Sequence, residues 1–332
     1  MIRLADLPLR GTAASLLLIA SAGCAASQPL MVVNVPVADL RAQPHTTAQA
    51  GVHDPLEETQ LLYGERVRVV RARNGWAFVE AVEQPEYTHH GRWQGYPGWL
   101  PLSELLEWRP TRALTTVPTG RPVVIVAKWA RAWQDPSLRL ACPWRLPLGS
   151  RLQATDVGGG LWRIELPGRD TVWLSHDDAR PLEALTALAP SEKRQAILRS
   201  AALLIGDPYY WGGRSPADAE RVSGVDCSGL VNLAYRSAGL DIPRDAHEQF
   251  LRAAPTATLH PADLIFLSER HHPARIVHVM LYAGDEAVLE GPATGSAIHR
   301  IALLKRLGRS LDDLKPGTVV DEQTVFFGTY LP

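Results

Sequence analysis

Two stretches of this chain spell the same local pattern 85 residues apart, and that repeat limits the fold more than any other feature. Gly64-Glu65-Arg66-Val67 aligns with Gly149-Ser150-Arg151-Leu152, Gly75 with Gly160, and Glu80 with Glu165. Further on, the offset shortens to 74, where Gly98-Trp99-Leu100 aligns with Val172-Trp173-Leu174, so the first copy carries 11 extra residues between Glu80 and Trp99. Short apolar runs alternate with turn residues in both copies, as in Met31–Val37, Arg66–Val70 and Trp76–Val79, which is the grammar of short strands. Two related units of about 60 to 80 residues built this way point to two small β-barrels.

The segment holding the extra residues, Val82 to Pro97, spaces Tyr87, Trp93 and Tyr96 among Thr, His, Gln and Gly. It is too polar to be core. Long aromatic-rich loops bind a ligand or pack on a neighbouring unit, and the sequence leaves both readings open.

At 332 residues the chain has room for two or three units. Its 34 basic and 35 acidic residues nearly cancel, with no run of five like charges, which excludes the footprint of a general nucleic-acid binder. An apolar share of 46% and a charged share of 21% exclude disordered and collagen-like chains. Ten Trp need cores, grooves or sugar-like ligands to cover them.

Residues 1–24 read as a signal peptide rather than fold. Arg3 and Arg10 bring positive charge before Ala13 to Ala22, an apolar stretch too short to span a bilayer comfortably. It ends Ser21-Ala22-Gly23-Cys24, which resembles a bacterial lipoprotein cleavage site with Cys24 as the lipidated first residue, although Ser21 stands where a larger aliphatic residue is usual. Plain cleavage near Ala25-Ala26 is the alternative. The expectation is an exported, periplasmic monomer held to a membrane only through that lipid. The other cysteines are Cys142, in an apolar context that suits a small buried thiol, and Cys227. A Cys142–Cys227 disulfide would consume the more interesting thiol.

From Pro190 the pattern becomes helical. Ser191 can cap a helix whose stripe is Ile197, Leu198, Ala201, Ala202, Leu204 and Ile205, ended by Gly206 and Pro208. A second stripe runs from Cys227 to Ala238. Strand-like runs follow at Leu264–Leu267, Ile276–Tyr282, Ala287–Leu289 and Thr324–Phe327, so this part reads as an α+β domain.

Cys227 opens the second helix, where unsatisfied N–H groups and the dipole favour thiolate. Peptide cleavage by a thiolate also needs a proton donor for the leaving amine, usually a histidine. His278 lies in a strand-like run. A three-residue loop centred on Gly284 would bring Glu290 directly across from it, where a carboxylate can hold the second ring nitrogen. His271, His272 and His278 lack the fixed geometry of a metal site. Trp211 reads as core.

Pro208-Tyr209-Tyr210-Trp211-Gly212-Gly213, Asp226-Cys227-Ser228-Gly229-Leu230, Ile242-Pro243-Arg244-Asp245 and His278-Val-Met-Leu-Tyr282 together resemble the NlpC-type cell-wall peptidases, papain-like cysteine peptidases that cut peptidoglycan stem peptides. The resemblance covers Pro190 to the C-terminus. The repeat resembles the bacterial SH3-like barrels that precede this domain in a subgroup specific for γ-D-glutamyl–diamino-acid bonds. It implies a signal peptide at 1–24, SH3-like barrels at 25–110 and 111–185, and a papain-like domain at 186–332. It further implies Cys227 as nucleophile, His278 as base and acid, and Glu290 as orienter. Asp226, Tyr209, Ser228, Asp245, Arg244, Tyr96 and Glu65 are implied around a peptidoglycan-derived peptide with a free N-terminal L-Ala, with no metal or cofactor. Three departures stand out: Glu290 where the family most often has His, Ala262 where it has Gly, and a long loop from Arg214 to Gly224. A catalytically idle wall-binding scaffold and a papain-like acyltransferase are the alternative classes.

Overall fold

A computed structural model describes residues 30–46, 53–107, 120–167, 171–218 and 223–332. The signal peptide and Cys24 lie outside them. Among the described residues no helix is long and apolar enough to cross a membrane.

The repeat is a repeat of topology. The first copy contains β1 (Leu30–Val33), β2 (Val37–Arg41), β3 (Glu57–Leu62), β4 (Arg66–Arg73), β5 (Trp76–Glu86), β6 (Gln94–Pro101) and β7 (Leu105–Glu107). The second contains β8 (Arg121–Ile125), β9 (Trp129–Trp133), β10 (Ala141–Pro147), β11 (Arg151–Asp156), β12 (Leu161–Glu165), β13 (Thr171–Ser175) and β14 (Ala179–Pro181). The strand orders β3-β2-β6-β5-β4-β1-β7 and β10-β9-β13-β12-β11-β8-β14 are the same order, shifted by seven strands. The aligned glycines share a backbone state: Gly64 and Gly149 have φ of 83° and 81°, Gly75 and Gly160 of 79° and 78°. Only glycine takes such angles without strain, so both turns keep glycine in the two copies. Each sheet closes on its own core, Val33, Leu40, Leu61, Val79 and Leu100 in one and Val123, Ile125, Leu146, Ile164 and Leu174 in the other. The expected single strand Met31–Val37 is two strands, with Asn34 to Pro36 between them.

The remainder is α+β. α1 (Leu182–Thr186), α2 (Pro190–Ala202), α3 (Cys227–Ser237) and α4 (Ala246–Arg252) precede a sheet of order β15-β21-β16-β17-β18-β19. These strands are β15 (Ala254–Pro255), β16 (Leu264–Glu269), β17 (His272–Gly284), β18 (Ala287–Glu290), β19 (His299–Ala302) and β21 (Gln323–Thr329), with α5 (Leu303–Leu307) and β20 (Val319–Val320) before the last. Strand alternation sorts Leu264 and Phe266 onto the face packed by α3, and Ile265 and Leu267 onto the face packed by Leu303 and Leu307 of α5. Ser191 is not the cap of α2: Ala189 is, with Pro190 in the first turn and Glu192 accepting from the Ala189 N–H. Helix α2 ends at Ala202, which leaves Ile205 exposed.

The two repeat turns meet α3. Arg236, 2% exposed, donates from Nε to Gly149 O (3.0 Å), and Nε lies 3.3 Å from Glu65 Oε1. Its other nitrogens reach Glu83 (2.7 Å) and Asp241 (3.1 Å). Glu65 also pairs with Arg214 at 2.9 Å, and the Arg214 side chain is fully buried. Breaking a buried pair strands its partners at about 3–5 kcal/mol. Glu65→Ala should therefore lower the urea midpoint of unfolding strongly, whereas Glu165→Ala, which removes an exposed pair with Arg163, should cost less than about 1 kcal/mol. Equal midpoints for the two variants would show that the buried ionic seam adds no stability.

Candidate active site

Helix α3 begins where it does because Asp226 caps it, accepting from Gly229 N at 2.6 Å, and all eleven residues that follow are buried. Gly229 is obligatory: a Cβ there would lie 2.2 Å from Gly213 O. That close approach seats the Tyr210–Gly213 turn against the first turn of α3, with Gly212 N donating to Asp226 Oδ2 at 3.1 Å. Cys227 is a free thiol, so no Cys142–Cys227 disulfide forms. Cys142 is half-buried against the core of the second sheet rather than fully buried.

His278 lies between Cys227 and Glu290. It interacts electrostatically with Cys227 on one side, and its Nε2 is 2.7 Å from Glu290 Oε2 on the other. The sequence-derived register is off by two. The turn is the pair Asp285–Glu286, both at φ 49°, and Leu281 pairs with Leu289. Glu290 is therefore diagonal to His278 instead of opposite. A shift of two keeps both side chains on one face, so the contact survives the error. A bulge at Val277 also re-aims the strand beside the site.

Burial alone would lower the His278 pKa, but the negative Cys227 and the hydrogen bonds to Cys227 and Glu290 outweigh it and raise it to about 9. Burial pushes the Glu290 carboxyl up, yet bonds from His278 and Arg306 bring it below the usual range. Arg306 was not anticipated. It stands on α5, sixteen residues beyond Glu290, with Nε 2.5 Å from Glu290 Oε1, and nothing in a sequence pattern marks that approach.

These residues open into a cleft of about 840 Å³. Tyr209, Asp226, Cys227, Ser228, Asp245, His247, Glu248, Arg275 and His278 line it from the α+β side, and Glu58, Tyr87, Thr88, His89 and Tyr96 from the first sheet. The aromatic segment thus does both jobs: it lines the cleft and docks on α4, where Thr88 N donates to Glu248 Oε1 at 3.0 Å and Arg252 sits over Trp93. Trp211, read as core, is 53% exposed and lines the cleft. The described residues of the long loop do not line the cleft but pack between the two sheets, with Arg214 N donating to Gln60 Oε1 and Trp129 Nε1 to Ala217 O.

Two expected site residues stand elsewhere. Glu65 belongs to the buried seam, and the acid of the first sheet at the cleft is Glu58. Arg244 is fully buried behind the cleft, donating to both oxygens of Asp226 (3.0 and 2.8 Å), to Ser228 Oγ (3.0 Å) and to Thr59 Oγ1 (2.7 Å). Tyr96 OH donates to Asp245 Oδ2 at 3.0 Å. Burial, with Glu248 and Asp226 adding to it against Arg244, raises the Asp245 carboxyl to about 7. His89 is held as a cation up to about 10 by the Glu58 carboxylate, 3.7 Å from Nε2, and by Glu86, hydrogen-bonded to Nδ1 at 3.0 Å. Among the described residues no group of three His, Cys, Asp or Glu side chains is placed to hold a metal ion.

Residues 206–307 match the NlpC/P60 family, and the chain carries an NlpC/P60 domain. Two relatives extend the similarity beyond it. A gamma-D-glutamyl-L-lysine dipeptidyl-peptidase of Bacillus cereus is 29% identical over 254 residues, 74% of this chain and 70% of the relative. One of Bacillus subtilis is 27% identical over 256 residues, 76% and 78% of the respective chains. The crystal structure of an NlpC/P60 family protein from Bacillus cereus shares the fold, with a TM-score of 0.69 and 23% identity over 91% of this chain and all of that one.

Glu290→Gln keeps the size but removes the charge that stabilises imidazolium. A protonated His278 should then persist to lower pH only, its titration midpoint falling from about 9 by one unit or more, as followed by NMR of the imidazole. An unchanged midpoint would mean that Glu290 does not hold the ring.

Proposed function

We propose that this chain is an exported cysteine endopeptidase that cuts peptidoglycan stem peptides between γ-D-glutamate and meso-diaminopimelate or lysine, releasing a dipeptide from a free N-terminal L-Ala. The NlpC/P60 match and the named relatives support cell-wall endopeptidase activity. The observation that carries the finer reading is that the reactive cysteine sits in a cleft whose second wall is the first β-sheet. The proposed units are a leader with Cys24 lipidated, SH3-like barrels over 25–110 and 111–185, and a papain-like domain over 186–332.

In this reading Cys227 Sγ attacks the γ-glutamyl carbonyl, and His278 gives its proton to the leaving amine. The resulting thioester is hydrolysed by a water that His278 deprotonates. The Cys227 N–H at the start of α3 donates to the oxyanion, and Tyr209 is a second donor. Burial and the nearby Cys227 and Asp226 charges hold the Tyr209 phenol protonated, as a donor must be.

The amine end is read by charge. Four carboxylates, Glu58, Asp226, Asp245 and Glu248, border the cleft, whereas Arg244 and His89 already pair with some of them. The raised Asp245 carboxyl is the mark of this surplus, and an ammonium there would relieve it. Asp245 takes a proton as pH falls through about 7, so KM for a free-amine peptide should rise below that pH while KM for its N-acetylated form stays flat.

The deciding experiment incubates the protein with L-Ala-γ-D-Glu-L-Lys and its meso-diaminopimelate counterpart and weighs the products. Dipeptide and free diamino acid are expected, with none from Cys227→Ala and near wild-type amounts from Cys142→Ser. N-acetylation should slow cleavage roughly tenfold or more, the loss of about 1.4 kcal/mol. Uncut tripeptides, or products carrying a new acyl acceptor in place of water, would overturn the assignment.

A further inference from the structure

Glutamate in the third position brings a full negative charge into a site with no access to water, since Glu290 is 0% exposed. A neutral imidazole in that place would bring none. Glu290 Oε2 meets His278 Nε2 at 2.7 Å, and its other oxygen meets Arg306 Nε at 2.5 Å. With Cys227 as the attacking thiolate of the proposed function, the series thiolate, imidazolium, carboxylate, guanidinium alternates in sign and sums to zero. An isolated carboxylate in such a place costs several kcal/mol unless it is paired. His299 Nε2, from β19, approaches the same oxygen as Arg306 at 3.5 Å, beyond a good hydrogen bond.

We propose that Arg306 is a positioning residue: it cancels the charge of Glu290 and aims the free oxygen at His278, so that Glu290 and Arg306 function in this chain only as a pair. The proposal rests on Cys227 as the reactive thiol. Arg306 itself does not reach the cleft lining, so it acts through Glu290.

Facing Glu290 are His278, His299 and Arg306; facing the thiol are His278, Tyr209 and Asp226. Of these, only Arg306 changes, together with Glu290 itself, in a test made of Arg306→Met, Arg306→Lys, Glu290→His and the double variant Glu290→His/Arg306→Met. The readouts are the rate at which iodoacetamide alkylates Cys227, located by peptide mapping across the pH range, and tripeptide turnover. Arg306→Met should slow alkylation at about pH 6 roughly tenfold, because Glu290 without its counter-charge takes up a proton and releases the imidazolium. Arg306→Lys keeps the charge and should lose less than about threefold. Glu290→His alone should be slow, as Arg306 then faces an imidazole that cannot neutralise it. The double variant should exceed both single ones, since removing the charge pair together restores balance. Losses that multiply in the double variant, or wild-type alkylation in Arg306→Met at every pH, would overturn the proposal. Should Arg306→Met unfold, as a thermal melt would reveal, the comparison of Glu290→His with Arg306→Lys decides. Turnover surviving in Cys227→Ala would instead refute the peptidase reading, and the alkylation rates would still judge Arg306.

Discussion

Arg236 of α3 is enclosed by the turns of both β-sheet repeats: its Nε donates to Gly149 O and lies against Glu65, the residue after Gly64. Arg214 and Arg244 are buried beside it, and these three arginines are among the largest fully buried side chains of the described protein. A guanidinium in such surroundings is tolerable only with every neighbour in place, because the desolvation cost of each charge is offset only by well-formed partners. The first sheet is therefore not an appendage. Glu65 and Glu83 of that unit complete the shell of an arginine on the helix that begins with Cys227.

The same arrangement sets the electrostatics of the cleft. Arg244 reaches Thr59 on the first sheet with one nitrogen and both oxygens of Asp226 with the others, so docking of the sheet and capping of α3 share one side chain. Asp226 is thereby already paired with Arg244, and Glu58 lies 3.7 Å from the His89 ring. One wall supplies Glu58 and the other supplies Asp245 and Glu248. In the proposed reading a substrate amine would meet carboxylates of both units. In the proposed reading, selectivity for a terminus would come from closure by the first sheet.

The series Cys227, His278 and Glu290 depends on a different part of the fold. Helix α5 covers the face of the sheet opposite α3, with Leu303 and Leu307 in the core and Arg306 turned toward Glu290. Cys227 approaches from α3 and Arg306 from α5, with His278 and Glu290 between them. Both ends of the hydrogen-bonded series are thus anchored by helices packed on one sheet, which restricts the ring of His278 from either side.

The sequence by itself determined what depends on local or periodic chemistry. The 85-residue offset was enough for two units of like topology, because a glycine at positive φ after an apolar strand is a local requirement. Asp226 before Cys227, with Gly229 after it, announced a capped helix start bearing a thiol. Even the wrong hairpin register delivered His278 to Glu290, because side chains alternate with a period of two and the error was two residues. Only the tertiary structure decided which charges meet. Glu58 on β3 and Glu65 in the turn that follows it are seven positions apart, yet one borders the cleft and the other is consumed by buried arginines. Trp211 looked like core, and its exposure follows from how the Tyr210–Gly213 turn is seated against α3. Arg306 could not be paired with Glu290 from spacing, since ion pairs between elements are fixed by how helices lie on sheets, and that packing is settled by the whole apolar surface rather than by the residues that end up in contact.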